Sequence, residues 1–261
     1  MRDLRFVAHL DILGMSSIVE RNADAAWELL TDLVTVRDKT SSYELEFLEA
    51  KERIEISEAI RSVTFSDTIL LFTKGSSDTD LRCMIVLVTE IFHKALCKSV
   101  PIRAGISFGK FYFNFDKSMY AGPALIDAYR IGESAQWLGI ALAESVKERA
   151  IALNMKTGKS KVVVPWSLPV KEGVKLCSAI NWPAVVAHDF TVAPPLSVEQ
   201  FYRPFERTFG ALGELPPEVQ AKYRNTIEFL NEHLILHAKT HTPIHRTSGK
   251  LRFPTSGDLQ R

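Results

Sequence analysis

Two acidic residues sit where carboxylates are costly. Asp67 interrupts the β-prone run from Arg61 to Thr73, and Asp11 closes the apolar run Phe6-Val7-Ala8-His9-Leu10 before Ile12, Leu13 and Gly14. An acidic residue inside such a run must lie at a turn or hold a cation. A turn aspartate bonded to its own backbone is the ordinary alternative for Asp67. Two carboxylates at the ends of two strands are also a ligand set for Mg²⁺ or Mn²⁺. These ions take oxygen ligands and leave positions open for substrate phosphates.

Other chemistry-bearing residues are more scattered. His233, His237, His241 and His245 recur every fourth residue, a spacing that aligns side chains on one helical face and can chelate Zn²⁺ or Ni²⁺. Pro243 breaks such a helix before the last histidine, which weighs against a metal site there. Cys83, Cys97 and Cys177 have neither metal-ligand spacing nor an even count, as expected in a reducing compartment. Gly105 and Gly109 fall in a strand pattern, where small residues let another backbone approach closely.

The elements that must position these residues follow from periodicity. Leu4 to Ile12 reads as a first strand. A helical stretch follows Gly14, with a cap or break at Asn22-Ala23-Asp24, and Thr40 to Ile56 continues as a second helix or a loop. Ser62 to Thr73 reads as a hairpin with Asp67 at its tip, and Asp78 to Cys97 as a helix. Pro101 to Gly109 alternates as a strand, with Ile102, Ala104, Ile106 and Phe108 on one face and Arg103, Gly105, Ser107 and Gly109 on the other. Phe111 to Phe115 runs back as a strand. Met119 to Pro123 turns into a helix reaching about Arg149. Val162 to Trp166 and Ala184 to Val192 read as further strands, and a last helix spans about Pro217 to His237 before a polar, frayed tail. The order predicts an α+β domain, a mostly antiparallel sheet with helices on one face. Residues 1–155 form the core, 156–240 complete the domain and 241–261 form a flexible tail.

Bulk properties narrow the function. With 261 residues and 46% hydrophobic composition the chain can bury a full core. A net charge of +1 supplies no basic field for nucleic acid, which counts against a polymerase-type palm domain. Met1-Arg2-Asp3 is not followed by an apolar leader, and the longest apolar stretch, Met84 to Val88, is too short to span a bilayer, so a cytoplasmic protein is expected.

Four motifs then converge. Asp11-Ile12-Leu13-Gly14-Met15 resembles the first metal-binding segment of class III nucleotidyl cyclases, and Phe65-Ser66-Asp67 the second. Ile102 to Gly109 is similar to their Arg-x-Gly-Ile strand, and Gly122 to Arg130 to the helix that carries their catalytic arginine. The resemblance covers roughly residues 4 to 150, and it implies the ferredoxin-like cyclase fold. It also implies two Mn²⁺ or Mg²⁺ ions held by Asp11, Asp67 and the backbone carbonyl of Ile12. A nucleoside triphosphate would bind in a head-to-tail homodimer with composite sites, where Arg130 stabilises phosphate charge. Arg103 faces the small-residue side of its strand, as a structural ion pair or a phosphate contact, and Phe6 is a base-stacking candidate or a core residue.

The departures carry information too. Where purine cyclases place a base-reading lysine and aspartate, this chain has Val63 and Met119, and Ile126 replaces the family asparagine. With the segment Ala128 to Glu133, the pattern resembles the bacterial pyrimidine cyclases of the Pycsar antiphage systems. That implies cyclic UMP, or cyclic CMP, as a signal to a separate effector. A catalytically dead, nucleotide-binding regulatory domain is the alternative from another class.

Overall fold

The structure is a computed structural model that describes residues 3–47, 52–187, 195–238 and 250–252. Strand β1 (Leu4–Ile12) is followed by helices α1 (Met15–Arg21) and α2 (Ala23–Ser41). Asn22 ends α1 and caps α2, its side chain accepting from the Ala25 N–H. The stretch expected as helix or loop instead contains a short hairpin, β2 (Glu44–Phe47) and β3 (Glu52–Glu55), then one turn of helix, α3 (Ile56–Ala59). Its strand signal, the alternation Glu44-Leu45-Glu46-Phe47, is hidden by glutamates of low β-propensity.

Next come β4 (Ile60–Phe65), β5 (Thr68–Thr73), α4 (Asp78–Cys97) and β6 (Ile102–Lys110), as the periodicity predicts. A reciprocal box between Ser77 and Asp80 starts α4. A small hairpin, β7 (Tyr112–Asn114) and β8 (Met119–Ala121), leads into α5 (Pro123–Ser134). The single helix expected to reach Arg149 is two helices, because β9 (Ile140–Leu142) intervenes before α6 (Glu144–Ala152). All three β9 residues are buried and pair in parallel with β6. Such a strand is apolar on both faces, so its pattern does not differ from a buried helical turn.

The rest of the chain comprises β10 (Lys156–Thr157), β11 (Ser160–Lys161), β12 (Val163–Val170), β13 (Gly173–Ile180), α7 (Trp182–Val186), α8 (Val198–Tyr202), α9 (Glu206–Phe209), α10 (Pro217–Ala238) and β14 (Lys250–Arg252). The expected strand from Ala184 begins instead inside α7, with Pro183 in its first turn and Asn181 capping the Ala184 N–H. Residues 188–192 of that stretch lie outside the described residues. Part of the segment expected to fray pairs as β14 in parallel with β2.

Seven strands form the main sheet in the order β12-β13-β9-β6-β1-β5-β4, antiparallel except at β6–β9. The expected α+β architecture is therefore present. Register is fixed at the centre: Asp11 faces Thr68 and Arg103, His9 faces Leu70 and Gly105, and Val7 faces Phe72 and Ser107. Cross-strand partners share a face. Phe6, Ala8, Leu10 and Ile12 point into the main core with α4 and α2, and Asp11, His9 and Val7 point the other way. On that other face α5 crosses β1 and β6. A Cβ on Gly105 would lie 2.1 Å from the Ala128 carbonyl oxygen, so the glycine is what lets the helix seat.

Candidate active site

Asp11 and Asp67 meet at one end of the sheet. Asp11 is the second-to-last residue of β1, and Asp67 lies in the two-residue loop that joins β4 to β5. Ser66 turns that loop in a left-handed conformation (φ 52°), which a non-glycine residue adopts only where its surroundings enforce it. The Ile12 N–H donates to the Asp67 carbonyl at 3.1 Å, tying the hairpin tip to the end of β1. Asp67 is also near enough for its charge to act on Asp11.

Asp11 is held from the opposite side by Arg103. The Nε and Nη2 of Arg103 donate to Asp11 Oδ2 at 3.1 and 2.9 Å. Its Nη1 donates to the carbonyl oxygens of Glu133 (3.0 Å) and Ala135 (3.5 Å), and its Nη2 also pairs with the Glu133 carboxylate. Lys171 takes the other Glu133 oxygen. Arg103 is only 6% exposed and its donors are engaged with Asp11, Glu133 and Ala135, the arrangement of the ion-pair alternative. Burial pushes the Asp11 carboxyl above its usual pKa, Arg103 pulls against that, and the charges of Asp67 and Glu133 add to the push. Against the cost of burial, the Lys171 hydrogen bond and the Arg103 charge hold Glu133 below the usual carboxylate value.

The other expected site residues divide. Val63 lies on the same face, in the row Val63–Leu70–His9–Gly105 across the sheet, and packs on the Val7–Phe72 cluster. Met119 does not join it. Phe113 and Tyr120 turn the packed side of the β7–β8 hairpin toward Phe72, which leaves Met119 on the opposite side and 60% exposed. Phe6 is a core residue: fully buried on the other face, against Phe108, with the Arg149 guanidinium over its ring. Arg130 is exposed on α5 and makes no hydrogen bond with a described residue. His233 is buried among Trp166 and Phe229 and bonds the Phe229 carbonyl, a packing role. The His237 side chain, His241 and His245 lie outside the described residues.

Three participants were not singled out by sequence. His9 shares the face of Asp11 and packs edge-on against Tyr129 at 5.2 Å; burial, then the Arg103 charge, lowers its pKa to about 4, so its ring is neutral near pH 7. Glu133 and Lys171 complete the support of Asp11, and only the place of Glu133 in the Ala128–Glu133 segment hinted at it.

The donor set fits a divalent metal. Asp11 and Asp67 offer hard oxygens, and burial, with the nearby charge of Asp67 adding to it, raises the Asp11 pKa, a cost that a bound cation would relieve. Among the described residues no third His, Cys, Asp or Glu joins them as a ligand group, so backbone carbonyls and substrate oxygens would have to complete the shell. Among the described residues no helix is long and apolar enough to cross a membrane.

No protein-family model and no curated protein matches the chain. Solved structures similar to it include the catalytic core of a rhodopsin-guanylyl cyclase with converted specificity in complex with ATPαS, at 15% identity and a TM-score of 0.47, covering 69% of this chain and 95% of that one. Two structures of a bacterial light-regulated adenylyl cyclase match at 11% and 12% identity, each with a TM-score of 0.46 over 69% of this chain. This chain spans about half the length of those two, 52% and 51%. At such identities and scores the likeness assigns neither chemistry nor substrate to this chain.

Proposed function

We propose that the chain is a nucleotidyl cyclase that converts a nucleoside triphosphate, UTP first and CTP next, to the 3′,5′-cyclic nucleotide and pyrophosphate. The observation that carries this reading is the pair Asp11 and Asp67, brought to one end of the sheet on its open face and tied together through the Ile12 N–H. These carboxylates, with the Ile12 carbonyl, would hold two Mg²⁺ or Mn²⁺ ions. Bound there, the ions supply acidification of the ribose 3′-hydroxyl and neutralisation of the triphosphate.

The chain's own residues do the rest. Arg103, locked by Glu133, fixes the Asp11 carboxylate and spares it from swinging out to solvent. Arg130, exposed and without a described partner, would act across a homodimer on the α-phosphate of the neighbouring site; its free guanidinium supports that reading. Val63 offers an apolar wall where a purine would need a polar reader, and each unpaired donor or acceptor of a base costs roughly 1–3 kcal/mol. Uracil has few exocyclic donors to leave unsatisfied. The resemblance of the Asp11–Met15, Phe65–Asp67, Ile102–Gly109 and Ala128–Glu133 segments supports a second-messenger role in antiphage defence, with a separate effector reading the product.

Equal UTP, CTP, ATP and GTP in one Mn²⁺ reaction, with products identified by mass, tests the reading. Cyclic UMP should dominate. A dominant cyclic AMP or cyclic GMP peak refutes the pyrimidine assignment, and nucleotide binding with no product from any of the four favours a dead regulatory domain.

A further inference from the structure

Beyond the carboxylate pair, one more cation comes within reach of Asp11. Helix α10 brings Lys222 to this end of the sheet. Asn225 donates to the Gln136 carbonyl at 2.6 Å, and Thr226, which donates to the Lys222 carbonyl, accepts from the Leu138 N–H at 2.8 Å. These bonds seat α10 on the segment that directly follows Glu133 and Ala135, whose carbonyls hold Arg103. Lys222 is half-buried there, within electrostatic reach of Arg103, Glu133, Lys171 and Asp11.

Arg103, Lys171 and Lys222 thus share the carboxylates of Asp11 and Glu133, with Asp67 on the far side of Asp11. Both Glu133 oxygens are already taken, one by Arg103 and one by Lys171, and Asp11 Oδ2 takes two donors from Arg103. The Lys222 ammonium has no hydrogen bond or ion pair with a described residue. Burial and then the Arg103 charge lower its pKa, and the more distant pull of Glu133 and Asp11 does not offset them. An unpartnered half-buried ammonium destabilises a fold, and such groups cluster where a ligand supplies the counter-charge.

We propose that Lys222 is a phosphate-binding residue that takes the polyphosphate tail of the nucleotide at the Asp11 end of the sheet. The C-terminal helix is then part of the substrate site, contributed in cis. The identity of the anion rests on the cyclase reading; the unpaired cation does not.

The test is calorimetric titration of the full chain with inorganic tripolyphosphate in EDTA, comparing wild type with Lys222→Met, Lys222→Gln and Lys222→Arg. Wild type and Lys222→Arg should bind. Lys222→Met and Lys222→Gln should bind about tenfold more weakly or worse, the usual effect of deleting one charged hydrogen bond. Their melting temperature should hold or rise, because a costly charge is gone; a lysine that merely braced Glu133 would lower it on removal. In Mn²⁺ turnover the KM for the triphosphate should rise with the same variants. No tripolyphosphate binding by wild type, or equal binding by the variant that folds, overturns the proposal. Normal KM in Lys222→Met with active wild type sinks the subsite and leaves the cyclase. Lysine-dependent binding with no product from any nucleotide sinks the cyclase and leaves the subsite.

Discussion

Asp11 and Asp67 carry the same group in unequal surroundings, and their substitutions should differ accordingly. Asp67 makes its structural bond through its backbone carbonyl, which an alanine retains. Asp67→Ala should abolish cyclisation and change stability by no more than about 0.5 kcal/mol, as for a surface site. Asp11→Ala should also abolish it, and in addition cost about 1–3 kcal/mol, because two buried Arg103 donors lose their acceptor. Urea unfolding beside a product assay separates the two effects. Near-wild-type turnover in either folded variant refutes the metal assignment, and equal stabilities refute the Arg103 clamp. At this scale the carboxylates were legible because acid in an apolar run is costly wherever it occurs. The partners of Asp11 were not, since Arg103 and Glu133 lie 92 and 122 positions along the chain and only register brings them together. Phe6 was legible in principle. It is five residues from Asp11 on one strand, and an odd separation puts two strand residues on opposite faces.

Helix α5 is the element on which the site depends, since it carries Tyr129, Arg130 and, in its last turn, Glu133. It seats through Gly105. Gly105→Ala would place its Cβ 2.6 Å from Ile131 Cγ2 and 2.8 Å from the Gly132 nitrogen, besides the Ala128 carbonyl. Backbone cannot yield as a side chain does, so the substitution should cost about 3 kcal/mol, the upper end for overpacking. Gly109→Ala is the control, because its Cβ would meet Ala124 at 3.6 Å, ordinary contact, and should be nearly neutral. Chemical denaturation of the pair checks this; equal effects would mean that α5 does not depend on that approach. The two glycines were legible as a place of backbone approach, and the approaching element was not. Strands and helices with clean periods, β1, β5 and α4, appeared where periodicity put them. β9 escaped because burial on both faces erases alternation, and β2–β3 escaped because glutamates mask it.

The whole molecule bears on Arg130. In one chain the guanidinium that reaches Asp11 belongs to Arg103, and Arg130 stands exposed on α5 with Ile126 and Tyr129, both about half exposed, beside it. An exposed arginine flanked by exposed apolar side chains on the face that carries the carboxylates fits a surface that meets a second copy, each chain lending its arginine to the other's aspartates. Asp67→Ala and Arg130→Ala should each be inactive alone. Mixed and allowed to exchange, they form heterodimers in which one composite site pairs an intact Asp67 with an intact Arg130, and the other carries both lesions. Random exchange makes about half of the dimers mixed, each with one working site of two, so recovery should approach about a quarter of wild-type specific activity. Each single variant, taken through the same exchange protocol by itself, sets the background. If subunit exchange is confirmed by mass and no activity returns, Arg130 serves its own chain's site or none, and the exposed face of α5 needs another partner.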